Sequence, residues 1–151
     1  MSKQPQTALQ FVAYVSAKGP PYTFEFPDVP GCTGSVRRPQ DVSEKATAAL
    51  ESALREQLGA LTRLPNWPQL HRPPRSDQER LHLTVAPGLA LAIQFRRMRL
   101  MKGWSQAELA AKVGVSQQQI VKLEDPDCNP TFETVTKVAR AFDETLSVVF
   151  G

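Results

Sequence analysis

Cysteine is scarce in this 151-residue chain: Cys32 and Cys128 are its only two, and they lie far apart in unrelated contexts. No paired spacing links them, so neither a disulfide framework nor a cysteine-based zinc site is suggested. Histidine is equally scarce, and neither His71 nor His82 has a His or Cys partner at metal-ligand spacing. No apolar run reaches the ~18 residues that span a bilayer. The polar opening Met1 to Thr7 also lacks the apolar core of a signal peptide. The expectation is a cytoplasmic chain with no membrane contact. A large charge of one sign is missing too, since 18 Lys and Arg stand against 15 Asp and Glu, net +3. Any nucleic-acid contact must then come from local placement of charge rather than from a bulk field.

Catalytic patterns are also missing. There is no phosphate-binding glycine loop and no nucleophile elbow. The N-terminal strands and turns offer only Glu25 and Asp28 as carboxylates, too few for a centre of two metal ions. The chain therefore reads as a non-enzyme that needs neither metal nor cofactor.

What is present is the composition of a globular protein, 41% apolar and 22% charged, long enough for two small domains. Leu9 to Ser16 and Tyr22 to Phe26 are rich in β-branched and aromatic residues and read as strands. The turn cluster Pro27-Asp28-Val29-Pro30-Gly31 leads into a third extended piece, Cys32 to Val36. Asp41 and Glu44 have the spacing of a capping box. After them Val42, Ala46, Ala49, Leu50, Ala53, Leu54, Leu58 and Leu61 form the apolar stripe of a helix of roughly five turns. That stripe needs a surface to cover, and the preceding sheet supplies one.

Pro65, Pro68, Pro73 and Pro74 make 62–79 an extended connection. Alternation resumes in Arg80 to Ala86 with Leu81, Leu83 and Val85, a strand that can complete the first sheet. Pro87 then suits the first turn of a helix. The expected domains are 1–86 and 87–151, in an α+β chain: an antiparallel sheet with one helix, followed by an all-α domain. In the latter, Leu89 to Lys102 is one helix, and Thr131 to Phe142 is another, with Phe132, Val135, Val138, Ala139 and Phe142 on one face. Thr145 to Phe150 is a short β-prone run that a second copy of the chain could pair.

Between these helices one phrase occurs twice, Trp104-Ser-Gln-Ala-Glu-Leu109 and Val115-Ser-Gln-Gln-Gln-Ile120. Each is a hydrophobic staple around a capping box. Ser105 and Glu108 cap the first helix, Ser116 and Gln119 the second, and Gly114 sits where a left-handed residue would end the first. Two short helices joined by a glycine turn are the grammar of a helix-turn-helix. On the second helix Ile120 and Leu123 point inward, while Gln118, Val121 and Lys122 point outward. A glutamine can pair with adenine through two bonds, a valine can touch a thymine methyl, and a lysine can reach phosphate or guanine. Gln117 and Gln118 are thus candidate readers, and Gln106 is placed to meet a phosphate.

Residues Arg99 to Phe142 resemble the helix-turn-helix of the phage-repressor and Xre family. That resemblance implies DNA reading by Gln117, Gln118 and Lys122, with Gln106 on the backbone, and a structural ion pair between Arg99 and Glu124. Tyr22-Thr-Phe-Glu-Phe-Pro27-Asp28-Val-Pro30-Gly31-Cys32, followed by an Ala-rich helix, is similar to the HicB-type antitoxins, whose fold is a truncated ribonuclease-H-like sheet and helix. This second resemblance implies an antitoxin that masks a HicA-like ribonuclease toxin and represses its own operon on operator DNA. Acidic Glu25 and Asp28 are candidate contacts to such a basic toxin, and a homodimer or higher even oligomer would let two short helices on a symmetric operator combine their affinities. A second reading stays open: a stand-alone regulator whose first domain senses a small molecule or another protein.

Overall fold

The computed structural model describes residues 9–60 and 73–146. The chain divides into two compact units, with the division between Ala86 and Pro87.

The N-terminal unit is a sheet of β1 (Gln10–Ser16), β2 (Tyr22–Glu25), β3 (Thr33–Val36) and β4 (Gln78–Thr84), in the order β3-β2-β1-β4. Every neighbouring pair is antiparallel. The strand expected after the proline-rich connection does return to the sheet. It runs the full length of β1, from Gln10 opposite Thr84 to Ser16 opposite Gln78.

Register decides which side chains share a face. Phe11 lies opposite Leu83, Ala13 opposite Leu81 and Val15 opposite Phe24, so these residues occupy one side of the sheet. The helix α1 (Val42–Ala60) packs against β2, β3 and β4. It buries Val42, Ala46, Leu50, Leu54 and Leu58, a stripe at a spacing of four along the helix. Full burial of each larger aliphatic side chain contributes about 1.5–3 kcal/mol.

The start of α1 differs from the expected Asp41–Glu44 box. A 3-10 turn, Pro39–Asp41, precedes it. The Asp41 carboxylate accepts from Arg38 Nε at 2.8 Å and from Arg38 Nη2 at 3.0 Å. Pro39 occupies the first position of that turn, where a missing N–H does no harm.

Asp28 also departs from expectation. The turn after β2 closes on itself: Phe26 N–H donates to Cys32 O at 3.1 Å and Cys32 N–H donates to Val29 O at 2.9 Å. Gly31 takes the left-handed φ of 85° that this reversal requires. The closed turn leaves Asp28 only 8% exposed. The Asp28 side chain is thus enclosed by the turn and not held out from the surface.

The helical unit contains α2 (Pro87–Met101), α3 (Gln106–Val113), α4 (Gln117–Leu123) and α5 (Phe132–Ala141). Phe95, Leu109, Ala110, Ile120, Leu123, Val135, Val138 and Phe142 form its core. A Cβ at Gly88 would lie 2.8 Å from the backbone oxygen of Pro126, so the first turn of α2 passes the α4–α5 loop too closely for any side chain. Phe132, expected on the buried face of α5, is instead 71% exposed. It directly follows the N-cap Thr131. Helical side chains lean toward the N-terminus, so one at the first position projects off the end of the helix. Thr145 and Leu146 have no regular structure. The remainder of the expected terminal strand lies outside the described residues.

Candidate nucleic-acid interface

α3 and α4 have 8 and 7 residues, too short to persist alone in water. Reciprocal caps fix where each begins. Ser105 Oγ accepts from Glu108 N–H at 3.1 Å while Glu108 Oε2 accepts from Ser105 N–H at 2.6 Å. At α4, Ser116 Oγ accepts from Gln119 N–H at 3.2 Å and Gln119 Oε1 accepts from Ser116 N–H at 3.0 Å. These bonds to the anion hold the Glu108 carboxyl below the ordinary glutamate range, the Ser105 backbone N–H being the largest cause. Gly114, at φ 81°, closes α3 by donating to Ala110 O at 2.9 Å.

Packing then sets the angle between the two helices. Leu109 and Ala110 of α3 and Ile120 and Leu123 of α4 enter the same core. Trp104, in the turn before α3, stacks on Phe142 with ring centroids 5.7 Å apart and planes 11° apart. Lys112 Nζ sits over the Trp104 ring at 4.5 Å from its centroid.

A polar cluster crosses this core. Arg99 Nε donates to Glu124 Oε1 at 2.5 Å and Arg99 Nη2 donates to Oε2 at 3.0 Å, with side-chain exposures of 8% and 3%. Arg99 Nη1 reaches back to the carbonyl of Trp104 at 2.8 Å. One guanidinium therefore ties α2 to the last turn of α4 and to the α2–α3 turn. The two-bond fork is the geometry for which arginine is suited and lysine is not.

The outward side of α4 carries Gln117, Gln118, Val121 and Lys122, all exposed, with Val121 at 48%. Gln119 is exposed as well, but its amide is committed to the cap. The triple glutamine thus resolves into two free amides and one capping amide. Gln106 also has a partner within the protein, because its Nε2 donates to Glu124 Oε2 at 3.1 Å. One N–H of this half-exposed amide thereby joins the Arg99–Glu124 cluster. No sequence signal could have found this bond, since its partners are 18 residues apart. Glu25, the remaining candidate in the N-terminal unit, is half-buried and accepts from Gln78 Nε2 at 2.9 Å.

Among the described residues there is no cluster of His, Cys, Asp or Glu able to hold a metal ion. None of the described helices is long and apolar enough to cross a membrane.

Comparison with known proteins places residues 95–149 in a family described as helix-turn-helix. A protein of Archaeoglobus fulgidus, described as an uncharacterized HTH-type transcriptional regulator, is 39% identical to the chain over 57 residues. Those residues make up 38% of the chain and 81% of that relative.

Proposed function

The chain belongs to the helix-turn-helix family of transcriptional regulators, DNA-binding proteins rather than enzymes, and from that premise we propose that it is the antitoxin of a type II toxin–antitoxin pair. In this reading the helical unit represses the operon by binding its operator, and the N-terminal unit masks a HicA-like ribonuclease toxin. The exposure pattern of α4 carries the DNA half. Buried Ile120 and Leu123 fix the helix, and Gln117, Gln118, Val121 and Lys122 are left to meet base edges and phosphate. Gln118→Ala is expected to weaken specific binding by about 1–3 kcal/mol with the fold intact. Equal affinity of variant and parent in a fluorescence-anisotropy titration would remove Gln118 from the reading set.

The N-terminal half of the proposal rests on the resemblance of 22–32 and the following helix to HicB-type antitoxins, and on the chain order of sheet, proline-rich connection, returning strand and helix-turn-helix. Glu25 is the carboxylate we assign to the basic toxin, now that Asp28 is enclosed. A homodimer or higher even oligomer fits a short reading helix, because two such helices on a symmetric operator combine their affinities. The test is purification of the chain from its own host. A stoichiometric small basic protein whose ribonuclease activity is blocked in the complex would establish the antitoxin.

One feature favours the rival reading, a stand-alone regulator with a sensing domain. A groove of about 440 Å³ on the N-terminal sheet is lined by Thr23, Phe24, Glu25, Thr33, Gly34, Ser35, Arg75 and Gln78. Its hydroxyl, amide and charged groups suit a small polar ligand. Operator binding by a chain that repeatedly purifies without a toxin would move the assignment to that regulator.

A further inference from the structure

The N-terminal sheet has a second, polar face. Thr23 and Glu25 flank buried Phe24 in β2, so they project from the side away from it. Thr23 lies opposite Ser35 and Glu25 opposite Thr33, which gathers hydroxyls and a carboxylate over β2 and β3. The groove of about 440 Å³ opens there, and its charged lining residues are Glu25 and Arg75. Gln78 ties these two together. Its Oε1 accepts from the Arg75 N–H at 3.0 Å, and its Nε2 donates to Glu25 Oε1 at 2.9 Å. The Gln78 N–H also donates to the Arg75 carbonyl at 3.0 Å, closing the turn that carries the arginine. Arg75 is exposed, and among the described residues its bonds run through the backbone, so the guanidinium is left uncommitted.

We infer that this groove binds a small zwitterion, a free α-amino acid with a polar side chain, its carboxylate on Arg75 and its ammonium on Glu25. This rests on the second functional reading, in which the N-terminal unit senses a small molecule. Charge selects the class. A purely anionic ligand would meet the Glu25 carboxylate and a purely cationic one the Arg75 guanidinium, and each leaves like charges together. A molecule that carries both charges answers both residues. The planar guanidinium suits a carboxylate through two parallel bonds. Glu25 already accepts from Gln78, yet a carboxylate has about four acceptor positions, so an ammonium can add to it. The hydroxyls of Thr23, Thr33 and Ser35 donate and accept alike, which suits a polar side chain. The volume lies within the range of small-molecule pockets, about 300–1,000 Å³. A lysine of a protein partner would reach Glu25 but leave Arg75 unanswered.

The test is a titration of the full chain with each of the free L-amino acids at millimolar concentration, followed in proton–nitrogen spectra. At least one with a polar side chain is expected to shift the backbone amides of Thr23, Thr33 and Ser35 and the side-chain amide of Gln78. No shift with any of them, or shifts that fall elsewhere, would overturn the inference. The N-acetyl and carboxamide derivatives of the amino acid that binds each lose one charge. Both are expected to bind about tenfold more weakly, the measure of one charge-assisted bond. Arg75→Gln is expected to weaken binding by a similar factor. Because Arg75 is exposed the fold is kept, and a spectrum otherwise unchanged will show it. Full affinity of the N-acetyl derivative, or of the Arg75→Gln chain for the free amino acid, would also overturn the inference. The reading beneath it fails separately. An amino acid that binds in the groove and leaves affinity for a selected operator duplex unchanged would remove sensing, while the zwitterion site stands.

Discussion

In the N-terminal unit the layer between sheet and helix is apolar, with Leu50 and Leu54 of α1 fully buried beside Phe11, Ala13 and Phe24 of the strands. The helical unit is of similar length, yet it buries an arginine and a glutamate as an ion pair. The first unit is held by surface removed from water, which tolerates rearrangement. The second adds a directional constraint, because a two-bond fork is satisfied at one geometry only. A unit that must hold two short helices at a fixed angle has a use for such a constraint. A sheet whose register already fixes its faces has less need of one.

The sharpest way to break this contrast is Arg99→Met. It leaves the Glu124 carboxylate buried without its counter-ion and is expected to cost about 3–5 kcal/mol. Thermal unfolding followed through the backbone amide resonances of the helical unit should show its early transition. Unchanged unfolding would mean that the cluster is not what fixes that unit. The counterpart in the sheet is Gly34→Ala. Its Cβ would run into the ring of Phe24, which is 4% exposed and packed. Overpacking of this kind costs about 1–3 kcal/mol, and chemical denaturation should detect it.

Much of the helical unit was legible because its instructions are local. Ser105 with Glu108 and Ser116 with Gln119 act over three residues, and Gly114 acts at its own φ, so a linear reading reaches them. The fold class and the returning strand β4 were legible from alternation. What escaped depends on neighbours distant in sequence or on the ends of elements. The bond from Gln106 to Glu124 spans helices, the burial of Asp28 follows from closure of the Phe26–Cys32 turn, and the exposure of Phe132 follows from its position at the tip of α5. Apolar periodicity places a residue on a face but does not say whether anything lies opposite it. Asp41 shows the same limit within a local motif, where Arg38 claimed the carboxylate that spacing had assigned to a cap.

The two boxes allow a finer comparison inside the helical unit. Ser105→Ala and Ser116→Ala each remove an N-cap acceptor and are expected to cost about 1 kcal/mol, read by denaturation of the full chain. Near-equal losses would show that the caps act as separate local devices. A loss at one site alone would show that packing carries the other helix start without its cap.

The smallest effect separates the boxes by charge. The α3 box closes with a glutamate and the α4 box with a glutamine, so only the former can titrate. Native hydrogen bonds lower the Glu108 pKa, chiefly that from the Ser105 N–H. A carboxyl whose folded pKa is depressed contributes its stabilisation in full above the unfolded value. That stabilisation is lost as pH falls through the folded value, here from about pH 4.3 downward. Backbone amide resonances followed from pH 6 to pH 3 should therefore show Ser105 N–H moving with the Glu108 titration while Ser116 N–H holds still. Glu108→Gln turns the first box into the chemistry of the second and should abolish the movement. Persistence of the movement in that variant would place its origin outside the box, and the two helix starts would then differ by more than one ionisable oxygen.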